Sequence, residues 1–188
     1  MKKNTALLIM DMQVAVLAGI GDPKQILERT AEAISYAKIS GCSLIFVKVG
    51  FRQGGPEIHP DNKMFGGNKD RYSAPNLEEM MKIHPDLSPE LNDIIILKRR
   101  VSAFSGSDLQ IVLRSLHIEH IVLAGVSTSG VVLSTLREAA DSDYLITVLA
   151  DCCADRDPEV HKVLLGKVFP MQAQVFTVSE WKAQEHMH

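Results

Sequence analysis

Three stretches of this chain put chemically capable residues at the ends of apolar runs. Asp11 closes Leu7-Leu-Ile-Met-Asp11, Lys98 closes Ile94-Ile-Ile-Leu-Lys98, and Gly125-Val-Ser-Thr-Ser-Gly-Val-Val-Leu-Ser-Thr135 follows a third apolar run and opens a helical pattern. A carboxylate and an ammonium brought together at strand ends form a proton-transfer pair. Burial raises the carboxyl pKa and the cation lowers it, so the sequence leaves open whether Asp11 is an acid or a base. An aspartate at a strand end serves equally well as a cap for the next turn. An unpaired buried carboxylate is costly, however, and Lys98 supplies the partner that turns Asp11 into a site residue. Arg99 and Arg100 come next and read as solvated groups at the strand exit. Thr128 is placed to cap the helix after the corner and to line the same pocket.

Other residues offer binding rather than bond-making. After the second apolar run, Phe51, Arg52 and Gln53 could hold a ring, a carboxylate and an amide or hydroxyl, with Arg52 gripping an anion in a bidentate pair. Phe65 and Phe104 are aromatic candidates for the pocket wall. Cys152 and Cys153 follow the fifth apolar run and Cys42 precedes the second; all three read as small buried hydrophobes rather than nucleophiles. A metal site needs three or four converging ligands, and His59, His84, His117, His120 and His161 lack ligand spacing. No metal and no cofactor is expected.

The elements that must carry these groups are short runs rich in Ile, Leu and Val, at 6–10, 43–49, 94–97, 120–125, 144–149 and 174–178. Such runs imply strands covered on both faces, as in a parallel sheet. Helical patterns alternate with them: 23–39, with Asp22 as cap and Pro23 in the first turn, then 107–116, 128–140 and 158–168. Alternation of this kind predicts right-handed crossovers and a three-layer α/β/α sandwich with a mostly parallel six-stranded sheet. In an open parallel sheet, ligands bind at the carboxyl ends of the strands, where Asp11, Lys98 and the corner all fall. The exception to the alternation is 50–89, which is turn-rich and holds five of the eight prolines. An irregular insertion this long is usually functional. It reads as the wall or lid of the pocket, with a short helix at 77–82.

A chain of 188 residues with 46% hydrophobic content is ample for one core and short for two, so a single domain over 1–188 is expected. The net charge of -3 comes from mixed signs without a basic block, which argues against a nucleic-acid partner. The apolar run near the amino terminus is short and broken by Asp11, so neither a signal peptide nor a membrane span is expected. Three cysteines give no disulfide framework, and a reducing, cytoplasmic setting fits them. The tail Glu185-His-Met-His188 is expected to fray.

Four motifs in order carry a family resemblance: Leu-Leu-Ile-Met-Asp-Met-Gln from Leu7, Leu-Lys-Arg-Arg-Val-Ser-Ala-Phe-Ser-Gly-Ser-Asp-Leu from Leu97, Leu-Ala-Gly-Val-Ser-Thr from Leu123, and Asp-Cys-Cys-Ala-Asp-Arg-Asp-Pro from Asp151. Over nearly its whole length the chain resembles the isochorismatase-like hydrolases, the superfamily that also contains nicotinamidases and N-carbamoyl amidohydrolases. The resemblance implies that Asp11 is the catalytic carboxylate, that Lys98 lies beside it, and that the Val126–Ser127 bond is cis. It also implies that the backbone N–H groups of Ser127 and Val131 hold a developing oxyanion. In the amidase branch the corner reads Gly-Val-x-Thr-x-x-Cys-Val with the thiolate as nucleophile, and the seventh position here is Val131. A valine cannot attack a carbonyl, which closes the covalent route at this position. The isochorismatases also lack the cysteine but tend to carry Gly there, so Val131 matches neither branch. The Asp-x-His metal pair of the nicotinamidases is absent after the second strand as well.

The function expected from these residues is cofactor-independent, Asp/Lys-assisted acid–base hydrolysis of a small molecule, such as an isochorismate-like vinyl ether. Two alternatives stand beside it: a water-based amidase, and a scaffold that binds a small molecule or assembles without catalysing. A homo-oligomer, dimer or larger, is implied by the resemblance.

Overall fold

The computed structural model describes residues 4–87 and 89–185, with the side chains of 68–71 set aside. Six strands form one sheet: β1 (Thr5–Met10), β2 (Ser43–Val49), β3 (Ile94–Lys98), β4 (His120–Val126), β5 (Leu145–Ala154) and β6 (Gln174–Phe176). Their order is β3-β2-β1-β4-β5-β6 and every pairing is parallel. The chain winds outward from β1 to β3, returns to β4 beside β1, and winds outward again. The reversal between β1 and β4 opens a crevice at the carboxyl ends of those strands, where such sheets bind ligands.

Among the described residues, seven α-helices accompany the sheet: α1 (Val14–Leu17), α2 (Lys24–Ser40), α3 (Leu77–Met80), α4 (Leu109–Ser115), α5 (Leu133–Ala140), α6 (Pro158–Val163) and α7 (Val178–Glu185). Alternation along β1 divides its side chains between two cores. Ala6, Leu8 and Met10 join Ile45, Leu123, Leu113 and Leu136 on one face, while Leu7 and Ile9 join Phe46, Val122, Leu27 and Trp181 on the other. Gly125 permits β4 to lie close to β1, since a β-carbon there would stand 2.8 Å from the Met10 carbonyl oxygen.

Several boundaries depart from the sequence pattern, each for a local reason. Pro23 stands just before α2 rather than inside it, and Asp22 Oδ1 accepts from Lys24 N–H at 3.0 Å. The helix closes on Gly41, whose φ of 76° lies in the left-handed region that glycine enters without penalty. Position 178 belongs to α7 and not to β6. Thr177 and Glu180 form a capping box, with Thr177 N–H donating to Glu180 Oε2 at 2.7 Å and Glu180 N–H to Thr177 Oγ1 at 3.2 Å. β5 runs on to Ala154, so Cys152 and Cys153 lie within the strand, one facing each core. A register shift between Leu123 and Gly125 takes up the extra length. The helix expected at 128–140 starts with a π-helical turn, Thr128–Val132, and 158–168 likewise ends in one, Leu164–Val168. β3 is an edge strand covered on one face only, leaving Ile95 and Leu97 on the outside partly in solvent.

The long excursion between β2 and β3 leaves the carboxyl end of β2 at Val49 and crosses back to enter β3 at Ile94, the register partner of Ile45, so that β3 in turn ends at Lys98 beside Val49. It contains a 3-10 segment at Gly66–Ser73, the short helix α3, and a 3-10 turn at Pro85–Leu87. The segment after Asp11 sews it down. Val14 N–H donates to Lys82 O at 3.0 Å, His84 N–H donates to Met12 O at 2.8 Å, and Gln13 bridges Ile83. Among the described residues, no helix is long and apolar enough to cross a membrane. Of the tail expected to fray, Glu185 is the last residue of α7 and 186–188 lie outside the described residues.

Candidate active site

Asp11 ends β1 in a left-handed conformation, φ 53°, which aspartate tolerates better than most residues. Its N–H donates to Val47 O at 2.9 Å and its carbonyl accepts from Gln13 N–H at 2.8 Å. From this turn the carboxylate spans β2 to meet Lys98, with Asp11 Oδ2 and Lys98 Nζ 2.8 Å apart. Both residues are buried, Asp11 at 7% and Lys98 at 1% exposure. Lys98 Nζ also donates to Arg100 O at 2.9 Å and Val101 O at 3.0 Å. An ammonium has three N–H donors, and all three are used. Lys98 therefore acts on Asp11 and through its field; it has no N–H left to grip a substrate oxygen.

Burial pushes the Asp11 carboxyl up and Lys98 pulls it down, leaving it at about 6. Asp11 Oδ1 is buried and accepts no hydrogen bond. Because Oδ2 is committed to the ammonium as an acceptor, the proton of the neutral acid belongs on Oδ1. The raised value has a thermodynamic corollary. A native carboxyl at about 6 against an ordinary 3.8 stabilises the fold in its protonated form, fully below pH 4. That contribution, about 3 kcal/mol, is lost as pH rises through 6. Unfolding free energies measured by urea titration between pH 4 and 7 should therefore fall more steeply with pH for wild type than for Asp11→Asn; parallel curves would contradict it.

The corner after β4 completes the floor. The Val126–Ser127 peptide bond is cis. Gly130 leaves room for the Ser127 hydroxyl, since a β-carbon there would stand 2.6 Å from Ser127 Oγ. Asp11, Lys98, Val126, Ser127, Gly130 and Val131 line one cavity of about 390 Å³, together with Val16, Ile20, Val49, Met64, Phe65, Val101, Ser129, Asp155 and Arg156. That volume lies within the roughly 300–1,000 Å³ of small-molecule sites.

Two charged lining residues were not singled out from the sequence. Asp155 and Arg156 follow β5 at the mouth. A β-carbon on Gly19 would come within 2.5 Å of Arg156 Nη2, so the guanidinium rests on the backbone before α2. Arg156 makes no ion pair among the described residues. The signal was present in Asp151-Cys-Cys-Ala-Asp-Arg-Asp-Pro, the fourth motif, whose position after a central strand marks it for the same sheet edge. Gln13 was also missed as a support. Its amide donates to Val49 O at 2.9 Å and Met81 O at 2.7 Å and accepts from Val49 N–H at 2.9 Å, tying β2 and α3 to the turn after Asp11.

The structure separates other expected site residues from the cavity. Arg52 is mostly exposed and pairs with Glu57 at 2.6 Å, so its charge is already engaged. Gln53 is exposed and lies outside the lining. Phe51 packs behind the wall, its ring centroid 5.2 Å from that of Phe65, which does line the cavity. Phe104 packs on the core beside Tyr144. Thr128 is fully buried, and its hydroxyl meets His161 Nδ1 at 2.8 Å instead of capping the helix. Arg99 and Arg100 are not simply solvated. Arg99 Nη1 donates to Gly50 O at 2.5 Å and Arg100 Nη2 donates to Glu57 O at 2.8 Å, fastening the start of the excursion.

None of the three cysteines lines the cavity, and all are buried. Burial raises the Cys152 thiol far above its ordinary value and pushes Cys153 up to about 12. Neither carries thiolate near neutral pH. Iodoacetamide at pH 7 should leave the folded protein unlabelled by intact mass and its turnover unchanged. Inactivation by the reagent would reveal a working thiol. Among the described residues, no group of three or more His, Cys, Asp or Glu is gathered to hold a metal ion.

The chain matches the isochorismatase domain over residues 5–180. It is 31% identical over 186 residues to the uncharacterized isochorismatase family protein YecD of Escherichia coli O157:H7, covering 95% of this chain and 94% of that one. It is also 31% identical over 183 residues to the ureidoacrylate amidohydrolase RutB of Serratia proteamaculans, covering 84% and 72%. An isochorismatase family protein from Burkholderia thailandensis superposes with a TM-score of 0.83 at 25% identity, covering 96% of this chain and 94% of that one. With its sheet order, its Asp11–Lys98 pair and its matched span in agreement, the chain belongs to the isochorismatase family of hydrolases.

Proposed function

We propose that the protein hydrolyses a small organic anion by acid–base chemistry at Asp11, without a covalent enzyme intermediate. The observation that carries this is a buried carboxyl with a pKa of about 6 in a cavity lined by Val131 and by no thiol. Arg156 supplies a cation at the mouth for a substrate carboxylate, the task first assigned to Arg52. For a vinyl ether, Asp11 Oδ1 delivers its proton to the terminal alkene carbon and an oxocarbenium ion forms. Water adds to that ion and loses a proton, and the hemiketal breaks into a ketone and an alcohol. Lys98 holds the conjugate base as the proton leaves, and the amides of Ser127 and Val131 receive the negative charge that develops on the departing alcohol oxygen as the hemiketal breaks, before it takes up the proton released by the water.

A second reading has its own support in the RutB similarity: amide hydrolysis in which ionised Asp11 takes a proton from water as it attacks the carbonyl. The two readings have opposite pH signatures. As an acid, Asp11 works below about 6 and kcat/KM falls as pH rises through that value; as a base, it works above and kcat/KM rises. The test is turnover, followed by mass spectrometry from pH 4.5 to 8, of isochorismate, small carboxamides and N-carbamoyl compounds by wild type and Asp11→Asn. Loss of a vinyl ether with the falling profile supports the acid mechanism. Loss of an amide with the rising profile moves the protein to the second reading. No turnover of anything by the folded protein favours a non-catalytic binder. A single domain, a cytoplasmic setting suited to three free thiols, and a homo-oligomer belong to the same proposal.

A further inference from the structure

The π-helical corner that follows the cis bond is attached at two points to the segment after β5. Ser129 N–H donates to Asp155 Oδ2 at 2.6 Å, and Thr128 Oγ1 meets His161 Nδ1 at 2.8 Å. Asp155 is itself braced, its Oδ1 accepting from Asp157 N–H at 3.4 Å, and Asp157 caps α6 through Glu159 N–H at 2.9 Å and Val160 N–H at 3.2 Å. Burial raises the Asp155 carboxyl, but the N–H groups of Ser129 and its neighbours outweigh it and hold the carboxyl below its usual value. The bond to Ser129 is thus charge-assisted, the stronger and shorter kind.

The second attachment fixes a tautomer. Thr128 is fully buried, and His161 Nδ1 is its hydroxyl's only hydrogen-bond partner among the described residues. If Nδ1 carried a hydrogen and donated to Oγ1, the hydroxyl hydrogen would be buried with no acceptor. A buried polar hydrogen without a partner is costly. If the hydroxyl donates to Nδ1, the ring hydrogen sits on Nε2, in a ring only half-buried and open to hydration.

We propose that Asp155 and His161 are positioning residues that clamp the Ser127–Val131 corner from the segment carrying Arg156, with His161 held as the Nε2–H tautomer accepting from Thr128. The corner and the cation at the cavity mouth then keep a fixed spacing, because adjacent residues, Asp155 and Arg156, set the one and line the mouth with the other. The role in turnover rests on the hydrolase reading above, whereas the clamp itself does not.

The experiment uses the full chain with 15N-labelled histidine for NMR, and hydrogen exchange by mass spectrometry over residues 127–132. Wild type should show His161 as Nε2–H. In Asp155→Ala and His161→Phe, exchange at 127–132 should speed up by about tenfold or more while the melting curve stays cooperative. Asp155→Asn, whose amide oxygen still accepts from Ser129, should restore slow exchange. On any substrate found for the wild type, Asp155→Ala should lower kcat about tenfold or more, with Asp155→Asn recovering most of it. An Nδ1–H tautomer, or exchange at 127–132 indifferent to both substitutions, overturns the clamp. Exchange that responds as expected, in a protein that turns over nothing, leaves the clamp standing and removes the hydrolase reading instead.

Discussion

Asp11→Asn is expected to lower kcat/KM by about 10² to 10⁴, the range that a positioned acid or base contributes. Asparagine keeps the shape of the carboxylate and tolerates the left-handed conformation that residue 11 adopts, so the backbone turn survives. What it removes is the titrating proton on Oδ1. The residual rate is expected to lose its dependence on pH near 6, the region to which burial raises the Asp11 carboxyl. A variant that kept wild-type rate on a substrate turned over by wild type would take Asp11 out of the chemistry. A variant that lost the rate but kept the pH break would assign the break to another group.

The second large effect is on stability. A buried ion pair broken from one side costs about 3–5 kcal/mol, because the remaining charge stays buried without its partner. Asp11→Asn puts a neutral group where the raised pKa already favours the neutral acid, so it should cost little near neutral pH even though Lys98 is 1% exposed. Lys98→Met should carry that full cost near neutral pH, since it strands the Asp11 carboxylate and also deprives Arg100 O and Val101 O of their donor. Its cost should shrink in acid, where Asp11 can neutralise itself by taking a proton. The double variant should fall short of the summed single costs by about 3 kcal/mol, the upper end of couplings between contacting residues. Guanidinium chloride titrations of all four proteins measure the cycle, and additivity to within about 0.5 kcal/mol would mean that the two groups are not coupled. The same set separates chemistry from folding, because the double variant regains part of the stability and none of the turnover.

Most of the framework could be read from residue type and period. A strand of Ile, Leu and Val that ends in a charged residue marks both the element and its terminus, which is why Asp11 and Lys98 are placed by the sequence and found 2.8 Å apart. The corner is legible for the same reason, as a glycine-flanked turn between a strand and a helical pattern. The pocket wall is not. Between 50 and 89 the chain has no sustained period, so nothing in the order of residues says which way Phe51, Arg52 or Gln53 points, and a local carboxylate, Glu57, captures the arginine. Phe104 illustrates the complementary difficulty, since an aromatic residue after a strand serves a core and a pocket equally well. Asp155 and Arg156 were hidden by the boundary of β5: two cysteines read as the strand's aftermath are still part of it, and the sheet edge begins only beyond them.

The excursion that forms the wall departs from β2 after Val49 and rejoins the sheet at Ile94, the register partner of Ile45. The sheet fixes the separation of these two ends whatever lies between them. For a segment so closed, doubling its length adds only about 0.6 kcal/mol of closure entropy. Insertions and deletions there leave the separation of Asp11 and Lys98 to the strands, so the pocket wall can be recut while the Asp11–Lys98 ion pair is kept unchanged. A family built this way can diversify its chemistry's targets at little thermodynamic risk, and grafting excursions of different length between these two positions is a direct route to new specificities on the same frame.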